Sequence, residues 1–191
     1  MSMFSWMAPL FGRFGDRWDD DFLTRVADQL RPFLDGRRAL LDLGGGTGAL
    51  AARLSDLLAA HATVLDPTPE MIAQMKPHVR VTAEVGSAES MPLPTDSFDA
   101  CLISDAFHHF RDQDGAVREI ARVVRPGGGL VVLEFEPKGW MLPIVMGERL
   151  LGEPGAFMTT EEMCAFMARH GIDGRCERVS KTTYYFVGTV R

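Results

Sequence analysis

No apolar run in this chain of 191 residues approaches the length a membrane helix needs, roughly 18 residues, so an integral membrane segment is not expected. Basic clusters are missing too, and the formal net charge is −6. Neutralising a phosphate backbone takes grouped Lys and Arg, so nucleic acid is not expected as the main partner. Cysteine is scarce. Cys101, Cys164 and Cys176 are odd in number and lack the spacing of metal ligands, so no metal site is expected and a reduced, cytoplasmic compartment fits best. The apolar start, Met1 to Phe11, has no basic leader, which argues against a secretory signal.

What is present is an ordinary globular composition, 46% hydrophobic and 24% charged, on a length that suits one domain over residues 1–191. The organising stretch is Leu40 to Gly48, Leu-Leu-Asp-Leu-Gly-Gly-Gly-Thr-Gly. Its apolar start, with Ala39, is too short for a helix and reads as a strand. The residues from Ala49 are strong helix formers. Strand, glycine turn and helix let backbone approach a nucleotide-type ligand, because glycine has no Cβ in the way. Gly44, Gly46 and Ala49 also satisfy the looser dinucleotide pattern G-x-G-x-x-G/A, so a nicotinamide enzyme is an alternative at this point.

Around that turn the chain alternates strands and helices. Phe22, Leu23, Val26, Leu30 and Phe33 recur at helical spacing between Arg17 and Leu34, and Pro32 and Gly36 close that helix. Strands are expected at His61 to Asp66, Val79 to Val85, Phe98 to Ser104 and Leu130 to Phe135, with helices at Pro69 to Lys76 and Asp112 to Val124. Five strands so arranged give a parallel sheet with helices on both faces. Ligands sit at the carboxyl ends of such strands, where Gly44, Asp66, Ser87 and Ser104 converge. Asp66 lies 20 residues beyond Gly46 and suits a ribose diol, or alternatively an N-cap for the helix that follows. A helix opens at Thr159 or Thr160, where Thr159 and Glu162 have capping-box spacing, and two antiparallel strands at about 175–180 and 182–190 end the chain.

Four stretches together resemble the class I S-adenosylmethionine-dependent methyltransferases, over about residues 20–190. They are Leu41 to Gly48; Asp66 with Pro67 and Met71; Gly86-Ser87-Ala88-Glu89 with Leu93-Pro94 and Ser97-Phe98-Asp99; and Glu119-Ile120 through Arg125-Pro126-Gly127-Gly128. Within that family the chain is similar to the UbiE-like, methyltransferase type 11, enzymes of ubiquinone and menaquinone biosynthesis and their small-molecule relatives. The resemblance implies a Rossmann-like, doubly wound α/β fold with a seven-stranded sheet, mostly parallel, whose last strand is antiparallel. It implies S-adenosyl-L-methionine as cofactor, S-adenosyl-L-homocysteine as product and a small-molecule methyl acceptor as partner. It leaves the oligomeric state open, a dimer included.

By the same resemblance, Asp42 with Gly44, Gly45 and Gly46 would hold the amino acid end of the cofactor. Asp66 would hold the ribose, with Pro67 and Met71 in the segment that lies against adenine. Met71, Ser87 and Ala88 would frame the adenine, Glu89 counts as cofactor-binding with them, and the Ser104 backbone would face the methionine part. Ser87 departs from the family's usual Asp and offers a shorter, neutral acceptor. Methyl transfer from a sulfonium is chiefly an alignment problem, and a base is needed only where the acceptor must lose a proton. His109, then His108, and Asp105 are the candidate catalytic residues beyond the fourth strand; alternatively, one histidine caps the next helix and the other packs on the sheet. Glu134 and Glu136 either face the acceptor or are solvated. Residues 1–18 and 137–158, with Trp6, Trp18, Trp140, Met141 and Met146, are the candidate lid over a hydrophobic or aromatic acceptor. A non-catalytic cofactor-binding or regulatory protein of the same fold is the second function class.

Overall fold

The computed structural model describes residues 19–137 and 155–191. Its helices are α1 (Asp20–Leu30), α2 (Ala49–Leu58), α3 (Pro69–Ile72), α4 (Gln113–Val123) and α5 (Thr160–Arg169). Its strands are β1 (Ala39–Leu43), β2 (His61–Asp66), β3 (Val81–Val85), β4 (Phe98–Ser104), β5 (Val124–Phe135), β6 (Ile172–Arg178) and β7 (Thr183–Val190). They form one sheet in the order β3-β2-β1-β4-β5-β7-β6. The pairs β1–β2, β1–β4, β2–β3 and β4–β5 are parallel, and β7 runs antiparallel to both β5 and β6. The expected seven-stranded, doubly wound α/β sheet is therefore present.

Strand side chains alternate between two faces, and here each face has its own core. On one face Leu40, Ala100, Leu102, Val131 and Tyr185 pack against Leu23, Val26 and Leu30 of α1 and Leu50 and Leu54 of α2. On the other, Leu41, Cys101, Ile103, Leu130 and Tyr184 pack against Val117 and Ile120 of α4 and Met163 and Phe166 of α5. β4 is buried from Phe98 to Ile103 because it lies between both layers, as its unbroken apolar sequence required.

The amino-terminal edge of the sheet is tied by one carboxylate. Asp99 Oδ2 accepts the Ala39 N–H at 2.9 Å, and Oδ1 accepts Arg125 Nε at 2.7 Å. Arg125 also donates to the Phe33 carbonyl at 3.3 Å and to Asp35 at 3.1 Å. Nearby, Glu119 accepts the Met91 N–H at 2.8 Å, and Arg122 donates to the Leu93 and Met91 carbonyls at 2.8 and 3.1 Å. The Glu119-to-Pro126 and Ser97-to-Asp99 stretches are thus fasteners of the sheet and of the 91–95 turn.

Several expected bounds move. The helix expected over Pro69 to Lys76 ends at Ile72 and continues as tight turns, Gln74 to Met71 and Met75 to Ile72, because Pro77 keeps Lys76 out of helical geometry. β3 begins at Val81, with His78 bridging back to it and Val79 exposed. β5 begins at Val124, not Leu130. The Arg125-to-Gly128 turn is absorbed as an irregularity between the Phe98–Val124 and Ala100–Gly129 pairs. β6 begins at Ile172. The Thr159–Glu162 capping box is formed in both directions.

Candidate active site

The carboxyl ends of β1, β2 and β4 bring the glycine turn against two other loops. Gly44 has φ +75° and donates to the Leu65 carbonyl at 2.7 Å, and a Cβ on it would come within 2.6 Å of the Ala106 Cβ in the loop after β4. A Cβ on Gly46 would meet the Met71 Cε at 2.9 Å, and one on Gly48 the Met75 sulfur at 2.8 Å. Backbone alone fits between those loops. Gly48, the N-cap of α2, supplies no side-chain cap, so the helix's first N–H groups and its dipole suit an anionic group.

Asp42 lies directly beneath this turn. It is 1% exposed, and its Oδ2 has no hydrogen-bond partner. A Cβ on Gly45 would stand 2.5 Å from that oxygen. Burial, with a smaller contribution from Asp66, pushes the Asp42 carboxyl up to about 7. A buried, unpartnered carboxylate beside open backbone calls for a cation.

Asp66 closes β2. Its Oδ2 accepts the Gly46 N–H at 3.0 Å and its Oδ1 the Thr68 N–H at 2.8 Å. Burial raises its pKa while those N–H donors oppose the rise. Thr68 is the N-cap residue of α3, so the alternative in which Asp66 itself caps the helix gives way to an Asx turn that leaves lone pairs for a diol. Pro67 is exposed beside it. Ser87 and Ser90 form an isolated bridge after β3, with Ala88 buried. Glu89 Oε1 instead accepts the Arg111 and Asp112 N–H groups at 3.1 and 3.4 Å, which gives it a structural task at the start of α4. Ser104 ends β4, opposite Leu133 of β5.

The histidines occupy a short 3-10 turn, Phe107–His109. His108 is 3% exposed and Glu134 1%. Both Glu134 oxygens lie 2.9 Å from His108 Nδ1, and Oε2 also accepts the His108 backbone N–H at 3.1 Å. The His108 ring stacks on Phe157 at 3.9 Å, inclined 16°, with the His109 ring 3.8 Å away on a tilt. Burial and the neighbouring His108 lower His109 to about 3. Asp105 is exposed, has φ +54° and offers a carboxylate oxygen within 4.8 Å of ligand atoms of His108 and Glu134.

Two alternatives from the sequence are corrected here. Neither histidine caps the next helix, because the Asp112 side chain does so by accepting the Gly115 N–H at 2.9 Å. Glu134 and Glu136 are not solvated. Glu136 is 1% exposed, accepts from the Thr160 N–H and hydroxyl at 3.2 and 3.3 Å, and pairs with Arg178. Of the candidate lid, the described part lies against the histidines. Ala156 donates to the His108 carbonyl at 3.0 Å, and Gln113 bonds the Ala156 carbonyl at 3.1 Å. Residues 1–18 and 138–154, with Trp6, Trp18, Trp140, Met141 and Met146, lie outside the described residues.

Known proteins resemble this chain in sequence and in fold. Residues 41–132 match the family model described as a methyltransferase domain. The chain is 44% identical to a ubiquinone/menaquinone biosynthesis C-methyltransferase UbiE of Rubrivivax gelatinosus, over 65% of this chain and 48% of that protein. It is 40% identical to an uncharacterized methyltransferase of Mycobacterium tuberculosis, over 54% of this chain and 44% of that one. The chain thus spans about half the length of the curated relatives it matches. Among solved structures, a possible histamine N-methyltransferase from Thermotoga maritima superposes with a TM-score of 0.73 at 19% identity, over 98% of each chain. Phosphoethanolamine N-methyltransferase 2 of Haemonchus contortus, in complex with S-adenosyl-L-methionine, gives 0.77 at 15% identity, over 92% of this chain and 54% of that one. At such identities those structures speak to the fold.

A seven-stranded sheet with β7 reversed, a glycine turn over a buried carboxylate and the methyltransferase-domain match over residues 41–132 together support a class I S-adenosylmethionine-dependent methyltransferase. Within that class it is UbiE-like. The nicotinamide alternative falls with that assignment. Among the described residues no helix is long and apolar enough to cross a membrane.

Proposed function

We propose that this protein transfers the methyl group of S-adenosylmethionine, by in-line displacement, to a small hydrophobic or aromatic acceptor. The observation that supports the reading is the unpartnered Asp42 Oδ2 beneath Gly45, a buried carboxyl that the cofactor's ammonium would satisfy. Bound there, S-adenosylmethionine supplies an electrophilic methyl on sulfur. Gly44, Gly45 and Gly46 bring backbone close to its amino acid end, Asp66 with Pro67 accepts from the ribose, and Met71, Ser87 and Ala88 border the adenine. Ser104 and Asp105 stand at the tip of β4, beside the methionine part. Alignment of this kind contributes roughly 7 to 11 kcal/mol to lowering the barrier.

For an acceptor that must lose a proton, such as a phenol, His108 is the better base. Glu134 fixes its ring through Nδ1 and favours the tautomer whose Nε2 accepts. His109, lowered to about 3, is too weak a base to hold the proton it would take. The partly exposed Phe157 and His109 rings offer flat faces to an aromatic acceptor.

The deciding experiment measures thermal stability with S-adenosylhomocysteine, S-adenosylmethionine and NAD, then turnover with a panel of phenols and quinols. A ligand at about 100 times its Kd adds about 2.7 kcal/mol, a rise of very roughly 5 to 10 °C for this length. A rise with the sulfur nucleotides alone, followed by homocysteine-product formation, supports the proposal. Binding without turnover across a broad acceptor panel would favour the regulatory alternative, and no rise with either nucleotide would overturn the cofactor assignment.

A further inference from the structure

Two of the three cysteines, far apart in type of element and absent from the methyl-transfer site, meet across the α5–β6 junction. Cys164, in the first half of α5, and Cys176, on β6, place their sulfurs 2.7 Å apart, both as free thiols and both half-buried. Cys176 also donates to the Thr160 carbonyl at 3.1 Å. Bonded sulfurs stand about 2.05 Å apart, so the pair is within a fraction of an ångström of covalent reach. The elements that hold it are both tied into the fold. α5 buries Met163, Phe166 and Met167 in the core, and β6 pairs with β7 along its whole length. Glu136 grips Thr160 and Arg178 on either side of the pair. Cys101, by contrast, is fully buried in β4 and has no cysteine near it among the described residues.

We propose that Cys164 and Cys176 are a modification site, a reversible intramolecular disulfide formed with a peroxide as two-electron oxidant. The Cys164 thiolate attacks the peroxide oxygen, the O–O bond breaks, and the sulfur becomes a sulfenic acid as hydroxide leaves and takes up the thiol's proton as water. The Cys176 sulfur then attacks Cys164 and expels a second water, so two thiols and one hydrogen peroxide give one disulfide and two waters. Cys164 is the first to react because burial and the neighbouring Cys164 push the Cys176 thiol up and keep it protonated. The product closes the short loop 164–176 and fastens α5 to β6, beside the segment whose Phe157 stacks on His108. Such a bond is compatible with a reducing cytoplasm, where disulfides are transient and responsive.

The test treats the full-length folded protein with a modest excess of hydrogen peroxide, then counts free thiols and maps peptides. The expected result is a fall from three free thiols to one, with peptides containing Cys164 and Cys176 joined, full recovery by dithiothreitol, and an oxidised form melting roughly 5 °C or more above the reduced one. Cys164→Ser and Cys176→Ser each abolish the cross-link, and Cys176→Ser leaves a sulfenic acid on Cys164 that a dimedone-type probe captures. Three thiols persisting while a free small thiol is consumed in the same tube would overturn the proposal. So would a cross-link that involves Cys101 or joins two chains. None of these readouts depends on methyl transfer, so the two proposals stand or fall separately.

Discussion

Glu134 holds His108 at two points, accepting both its backbone N–H and its ring Nδ1–H. One carboxylate at the end of β5 thereby fixes the position of a residue 26 places earlier in the chain and sets the direction of its ring. Both groups are almost wholly buried, so neither is held by solvent.

Glu134→Gln keeps the volume but removes the charge and one acceptor of this clamp. For an acceptor that must be deprotonated, turnover is expected to fall roughly 10-fold, and His108→Ala roughly 100-fold, with the Kd for S-adenosylhomocysteine changed less than about 2-fold. Steady-state kinetics beside calorimetric titration read the two quantities. Equal losses in binding and turnover would remove His108 from the chemistry.

Asp42 carries a pH dependence whose sign is fixed. Its folded pKa of about 7 lies above the unfolded value of 3.8, so the folded state binds the proton more tightly. The free protein therefore loses stability as pH rises from about 4 to about 7, by on the order of 2 to 4 kcal/mol from this group. Asp42→Asn should flatten that slope in urea titrations across the window. Cofactor affinity runs the other way. An ammonium favours the ionised carboxylate, so S-adenosylhomocysteine should bind more tightly as pH rises through about 7, with proton release, and Asp42→Asn should abolish that dependence.

Gly45→Ala tests the steric side of the same site. The added methyl would stand 2.5 Å from Asp42 Oδ2 and 3.0 Å from Val64 Cγ1, and neither neighbour has room to withdraw. Cofactor affinity is expected to drop at least 10-fold and the melting temperature by several degrees, from roughly 1 to 3 kcal/mol of overpacking. An unchanged Kd would mean that the turn does not touch the ligand.

Arg178→Ala removes the guanidinium from buried Glu136 while the hydrogen bonds from Thr160 stay in place. Arg178 is 45% exposed, so water screens the pair and the stability lost stays well below the full cost of an unpaired buried charge. Adding Glu136→Gln should restore part of the loss. A double-mutant cycle by chemical denaturation measures the coupling.

The sheet was legible because two signals coincided in it, apolar strands of the right length and glycine turns at their carboxyl ends. Gly44, Asp66 and the tip of β4 fall where that pattern places them. The less legible parts depend on contacts between distant residues. Nothing local to Leu133-Glu134-Phe135 says that the acid turns inward to meet His108, although a charge inside an apolar strand was the available signal. The early end of α3 was foreshadowed by Pro77. The early start of β5 was hidden, because Pro126 and three glycines read as a turn while their backbone is held by the pairing of β4. The sequence favours His109 over His108 only slightly, because the two look alike there; the proposal turns to His108 on its buried contact with Glu134, which sequence does not display.

The Asp99–Arg125 fastener lies at the opposite edge of the sheet from every residue assigned to cofactor or acceptor. The molecule therefore has a foundation and a rim that share strands but few side chains. Changes in the loop after β4 and around Phe157 can reshape the proposed acceptor site while the foundation keeps the chain folded, so a lineage could exchange acceptors without rebuilding its frame. Damage at Asp99 has the opposite reach, because it loosens β1, β4 and β5 together and every rim residue with them.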